Sequence, residues 1–149
     1  MLGCLKDFMH NGCITGVFQS GVDIVFNEIL NLFKLLINNN PNFNKKIRPI
    51  KSVKLVIIHY TGMQSEIESL KRLKSINSKV SCHYLINRKG IITQMVKDDK
   101  VAWHAGKSSW KNYKSLNHNS IGVEISNPGH QFGYKKFSKK QISSAPPSL

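Results

Sequence analysis

Between residues 22 and 37 the apolar side chains outnumber the polar ones, and the polar ones are spaced. Ser20, Asp23, Asn27, Asn31, Lys34 and Asn38 recur every three or four positions and line up as one narrow stripe. That period predicts a helix over residues 22–37. At 1.5 Å per residue it would span roughly 24 Å, short of a bilayer core. It also carries Asp23, Glu28 and Lys34, so it reads as a helix packed on the domain, with contact to a membrane surface as the alternative. Residues 1–20 have little pattern and make a poor secretory signal, since Asp7 follows Lys6 and no clean apolar run comes next.

Residues 38–49 read as a linker, with Asn-Asn-Asn-Pro, a Lys-Lys-Ile-Arg run and a second proline. Residues 53–59 (Val-Lys-Leu-Val-Ile-Ile-His) then read as a buried strand ended by Thr61-Gly62. A helix is expected over 65–76. Ser65 is its cap, Glu66 and Glu68 sit in its first turn, and Lys71, Arg72 and Lys74 sit in its last, an order that suits the helix dipole. Residues 80–86 and 91–96 form a hairpin about Arg88-Lys89-Gly90, and residues 120–126 form a fourth strand broken by Asn127-Pro128-Gly129. A last helix begins at Ser138 and cannot run through Pro146-Pro147. Strands alternating with helices place the chain in the α/β class.

Composition narrows the possibilities without naming one. The chain has 149 residues, a length that suits one domain. Its 40% hydrophobic and 20% charged content exclude a disordered or collagen-like chain. Three cysteines, Cys4, Cys13 and Cys82, make no disulfide framework and fit a reducing compartment. Twenty-two Lys and Arg against eight Asp and Glu give a formal charge of +14. The cations are scattered, and no zinc-finger, helix-turn-helix or RNA-recognition pattern accompanies them. The charge therefore reads as compositional bias, with attraction to acidic polymers second and nucleic acid not expected as a partner.

Two residues stand out chemically. His59 ends a buried strand before a glycine turn, and open α/β sheets bind ligands beyond the carboxyl ends of their strands. A single histidine in that place serves structure more often than ligation. Glu124 interrupts an apolar strand, where alternation puts Gly122, Glu124 and Ser126 on one face and Ile121, Val123 and Ile125 on the other. Either that face is solvated, or Glu124 is aimed into a metal-lined cleft as a general base. His83 reads as buried and hydrogen-bonded. Trp103-His104-Ala105-Gly106 reads as a packed loop or as the wall of a groove for a sugar or peptide.

Taken in order, several blocks carry a family resemblance. They are Pro41-Asn42-Phe43-Asn44, Val56 through Met63, Val80-Ser81-Cys82-His83-Tyr84-Leu85-Ile86 and Ala102-Trp103-His104-Ala105-Gly106 with Ser109-Trp110. Asn119 through Ile125, Asn127-Pro128-Gly129-His130 and Phe132-Gly133-Tyr134 complete the set. Together they resemble the type-2 N-acetylmuramoyl-L-alanine amidases, zinc hydrolases that include phage amidase lysozymes and peptidoglycan-recognition domains. The resemblance implies a mixed central β-sheet flanked by helices, here with an extra N-terminal helix. It implies a domain over 41–141, an extension over 1–40 and a tail over 142–149. It implies cleavage of the amide between N-acetylmuramic acid and L-alanine in peptidoglycan or muropeptides. It gives His59 the role of zinc ligand and Glu124 that of catalytic carboxylate, with Trp103, His104 and Asn127 toward substrate.

The resemblance also implies a departure. The family's remaining ligands, a second His and an Asp or Cys, lie after the helix that follows Phe137, and His130 sits in a loop where the family places none. The expectation is a C-terminally truncated domain with an incomplete Zn2+ set and one sheet face left bare. A separately encoded C-terminal fragment is a possible partner beside muropeptides. Three functions follow: an amidase, a muropeptide-binding remnant with impaired chemistry, or a basic nucleic-acid binder, ranked last. The expected location is the cytoplasm, with the periplasm or envelope as the alternative.

Overall fold

The structure, a computed structural model, describes residues 40–145 in full and, ahead of them, the backbone of residues 14–19 and 36–37. Most of the helix expected over 22–37 lies outside the described residues. Its last two positions differ from the expectation, because Leu36–Ile37 is a strand.

Six strands make one mixed sheet. β1 (Ile14–Gln19) runs antiparallel to β4 (Leu55–Tyr60), and β4 runs parallel to β10 (Ser120–Ile125). β10 is parallel to β5 (Tyr84–Ile86), which turns back antiparallel into β6 (Ile92–Gln94), and β2 (Leu36–Ile37) pairs parallel with β6. The order across the sheet is β1-β4-β10-β5-β6-β2. Two small ribbons stand apart: β3 (Phe43–Asn44) with β7 (Val101–Ala102), and β8 (Ser109–Trp110) with β9 (Tyr113–Lys114). The mixed α/β sheet is the one the sequence led us to expect, with shorter strands.

Both described α-helices start where their caps put them. Ser65 Oγ accepts from the Glu68 N–H at 3.2 Å and Glu68 Oε2 accepts from the Ser65 N–H at 3.1 Å, which fixes α1 (Glu66–Lys74). Ser138 and Gln141 repeat the motif at α2 (Lys139–Ser144). Gln141 is itself buried, and its Nε2 donates to the Ser126 carbonyl at 2.8 Å, so the cap residue also ties α2 to the end of β10.

Alternation along β4 and β10 builds two different faces. On one, Val56, Ile58, Ile121, Val123 and Ile125 join Tyr84, Ile86 and Ile92 in an apolar cluster, with Phe137 and Ala145 packed on it. The sequence led us to expect one sheet face bare, and this one is covered. None of the cluster's strand residues is more than 9% exposed, and Phe137 and Ala145, on either side of α2, pack against them. On the other face, α1 packs Leu73 and Leu70 over Leu85, Cys82 and Met95. Beside it, Ala105, Trp110, Tyr113 and Leu116 cover Leu55 and Ile57. A gap is left between these two coverings at the carboxyl ends of β4 and β10.

The segment read as a linker is built into the fold. Asn42 Nδ2 donates to the Ser75 carbonyl at 2.7 Å and the Val80 carbonyl at 3.0 Å. Arg48 is 6% exposed, and its guanidinium donates to the carbonyls of Asp98 at 2.9 Å, Asn117 at 3.0 Å and Ser120 at 2.8 Å. One arginine thereby ties the turn at Asp98 to the segment that leads from Asn117 into β10.

Candidate active site

The gap is a cleft whose lining includes His59, Tyr60, Thr61, Met63, Arg72, Trp103, His104 and Glu124. Parallel pairing of β4 and β10 sets Glu124 directly opposite His59, although 65 positions separate them in sequence. Trp103 and His104 both line the cleft. Asn127 is not among the lining residues: its Nδ2 donates to the Lys135 carbonyl at 2.7 Å and its Oδ1 accepts from the Gly129 N–H at 3.0 Å.

His104 lies across β10. A Cβ on Gly122 would overlap the His104 ring, so only glycine lets the imidazole come this close to the strand. The backbone N–H groups of His104 and Ala105 both donate to Asn117 Oδ1, at 3.1 Å and 2.7 Å, which holds the loop down. Ser120 Oγ donates to the Leu116 carbonyl at 2.6 Å, so it accepts from His104 Nε2 at 3.3 Å. That puts the His104 proton on Nε2 and leaves Nδ1 as an acceptor. His59 Nε2, 3.2 Å from that Nδ1, is then the donor. A chain of hydrogen bonds from Leu116 through Ser120 and His104 thus sets the tautomer of His59.

Burial dominates the electrostatics. His59 is pushed down to about 4 by desolvation. His104 is lowered by desolvation, then by His59, His83 and Arg48. His83, fully buried, accepts from the Gly122 N–H through Nδ1 at 2.9 Å, and burial, followed by the Arg48 charge, takes it to about 3. It is a structural histidine, as its sequence context suggested. Glu124 moves the other way, up to about 8, again by desolvation. Its Oε2 is buried with no hydrogen-bond partner. Cys82, behind it, is raised by burial and then by Glu124.

An unpartnered carboxyl that titrates near neutrality can give a proton or take one, according to what enters the cleft. Metal binding is a separate question. His59 Nε2 and His104 Nδ1 face each other, not a common point, and among the described residues no group of three or more His, Cys, Asp or Glu is placed to hold a metal ion. A catalytic zinc takes three protein ligands and one open position, so the described residues do not make such a site.

Several contributors escaped the sequence reading. Arg48 hid in a basic run inside the segment read as a linker. Ser120, Ser81 and Asn117 looked like ordinary polar loop or strand residues. Gly122 had a usable signal, since a glycine inside a strand marks close approach by another group.

Residues 49–146 match the family model of N-acetylmuramoyl-L-alanine amidase. The chain is 40% identical over 86 residues to N-acetylmuramoyl-L-alanine amidase AmiD of Escherichia coli K12, covering 53% of this chain and 30% of that protein. It is 29% identical over 109 residues to 1,6-anhydro-N-acetylmuramyl-L-alanine amidase AmpD of Haemophilus influenzae, covering 62% and 59%. The chain therefore spans less than two thirds of either relative. Among solved structures, E. coli AmiD in complex with anhydro-N-acetylmuramic acid-L-Ala-D-gamma-Glu-L-Lys superposes with a TM-score of 0.57 at 33% identity, over 68% of this chain and 42% of that one. AmpDh3 of Pseudomonas aeruginosa gives 0.53 at 29% identity, over 58% and 39%. With the family model matched over well more than half of its residues, the chain belongs to the N-acetylmuramoyl-L-alanine amidase family.

Proposed function

We propose that this chain binds muropeptides in the cleft and hydrolyses the amide between N-acetylmuramic acid and L-alanine, in the breakdown or recycling of peptidoglycan. The observation that carries the reading is the buried, unpartnered Oε2 of Glu124 beside His59 on the cleft floor. Glu124 takes a proton from the attacking water and hands it to the leaving amine of L-alanine. Its shift to about 8 keeps it able to do both near neutral pH. His59 occupies the place the resemblance gives to a zinc ligand, and Ser120 and His104 hold its ring. Trp103 forms the wall along which the substrate lies, and Asn127 supports the loop beyond Tyr60. No step is assigned to zinc, because the described residues do not complete its ligand set. We place the protein in the cytoplasm, in keeping with its sparse cysteines.

That incomplete set favours a second reading, a muropeptide-binding module with little chemistry. One assay separates them. Purified protein is given a muropeptide, and both binding and release of the free peptide amine are measured for wild type and Glu124→Gln. The amidase reading expects release by wild type, a fall of about a hundred- to ten-thousandfold in the variant, and unchanged binding. Binding without release from wild type supports the module instead. Failure to bind sinks both.

A further inference from the structure

The block Asn127-Pro128-Gly129-His130 through Tyr134 takes no part in the chemistry above, yet it is a built loop. Asn127 staples both of its ends, one to the Gly129 N–H and one to the Lys135 carbonyl. A 3-10 turn (His130–Phe132) lies between. At Gly129, φ is +71°, and a Cβ there would run into the Tyr60 ring, so the loop sits directly on that ring. What this construction presents to solvent is aromatic. Tyr134 is 71% exposed and Phe132 45% exposed. Tyr134 stands edge-on to Tyr60 with ring centroids 6.3 Å apart, and His130 stacks at 6.2 Å on Tyr134 with a 33° tilt. Large aromatic side chains held in water on a pinned loop call for a ligand.

Tyr60 belongs to both the patch and the cleft wall, so an occupant of the cleft reaches the patch without a break. The two flanks of the cleft differ in chemistry. Toward α1 and Trp103 the lining carries the exposed cation of Arg72, suited to a peptide with carboxylates. Toward Tyr60 it passes onto rings. A pyranose has a face of C–H bonds that packs on a ring and a rim of hydroxyls that bonds to a phenol or imidazole.

We propose that Tyr134, with Tyr60 and His130, forms a saccharide platform that takes the ring of the N-acetylmuramoyl sugar, leaving the stem peptide to the α1 side. The proposal rests on the muropeptide reading above and assigns the two halves of that ligand to opposite flanks. Asn127 then acts as a positioning residue, holding the loop that carries the ring.

Binding of three probes by the full chain tests it: an intact muropeptide, N-acetylmuramic acid alone, and the free stem peptide. Tyr134 is exposed, so Tyr134→Ala leaves the fold intact, and Tyr134→Phe keeps the ring without the hydroxyl. Tyr134→Ala is expected to weaken both sugar-containing probes by roughly three- to tenfold and to leave the peptide unchanged, with most of the loss restored in Tyr134→Phe. Equal weakening of sugar and peptide, no weakening at all, or no rescue by phenylalanine would overturn it. So would a concentration-dependent self-association that Tyr134→Ala abolishes while sugar binding stands, since the patch would then belong to a second copy. A wild type that binds none of the probes removes the muropeptide reading itself. A wild type that binds them indifferently to Tyr134 removes only the platform.

Discussion

Alternate residues of β4 and β10 make the two faces of the same sheet, and they have been put to different uses. Ile121, Val123 and Ile125 point into an apolar cluster on which Phe137 and Ala145 pack. Ser120, Gly122 and Glu124, their immediate neighbours, meet His104, His83 and the cleft. The first face is held by burial of hydrocarbon and contains no titrating group that matters to the cleft. The second carries a carboxyl raised to about 8 and two imidazoles pushed below their ordinary range, in contact with a third, and it relies on hydrogen bonds and close fit. A strand buried on both faces thus separates stability from chemistry by a single residue step.

The comparison breaks most sharply if an apolar substitution disturbs the site. Ile121→Ala should cost about 2–5 kcal/mol in urea unfolding while leaving muropeptide affinity per folded molecule unchanged. A large fall in affinity at full folding would mean that the faces are not separate.

Acidity should act chiefly through the polar face. Glu124, raised in the folded state, binds its proton earlier than in the unfolded chain, so its contribution to stability grows as pH falls from about 8. His59, His83 and His104 are lowered in the folded state, so below about 6.5 the unfolded chain takes protons that the folded one refuses, and stability falls with pH. Three imidazoles outweigh one carboxyl. Stability should peak near pH 6.5 and fall by roughly 2 kcal/mol per pH unit toward pH 5. Asp98, raised by burial, opposes that fall at its lower end. Urea midpoints across pH 5–8 read this directly, and Glu124→Gln should flatten the limb above 6.5 and steepen the one below it, where the carboxyl offsets part of the loss. A level profile between 6.5 and 5 would contradict the burial of the imidazoles.

The smallest expected effect is the most local. Gly122→Ala pushes against the His104 ring and should cost about 1–3 kcal/mol, with the ring signals of His104 and His59 displaced in NMR spectra. The same substitution with those signals unmoved would mean that the close approach is not what positions His59.

Much of the fold was legible because its signals are local. Ser65 with Glu68 and Ser138 with Gln141 announce their own helix starts, since a cap needs only three residues of separation. The hydrophobic run of β4 announces a buried strand. Ile14–Gln19 was not legible as a strand, because its place is set by pairing with β4 some forty residues later. Leu36–Ile37 ended as a strand at the tail of a helical period for the same reason, being taken up by β6. Arg48 stood in a segment read as a linker, and only the arrival of the Asp98 turn and of the segment Asn117–Ser120 gave its guanidinium partners.

By itself the sequence determined the class of the fold, its helix starts and the residue types at the site, because period, capping and the ordered motif blocks depend on neighbours along the chain. The tertiary structure alone decided that Glu124 stands beside His59, that Gly122 makes room for His104, and that Tyr134 is brought back to Tyr60. Each of these joins residues whose partners are chosen by strand pairing and packing, and no local period records which distant segment will arrive.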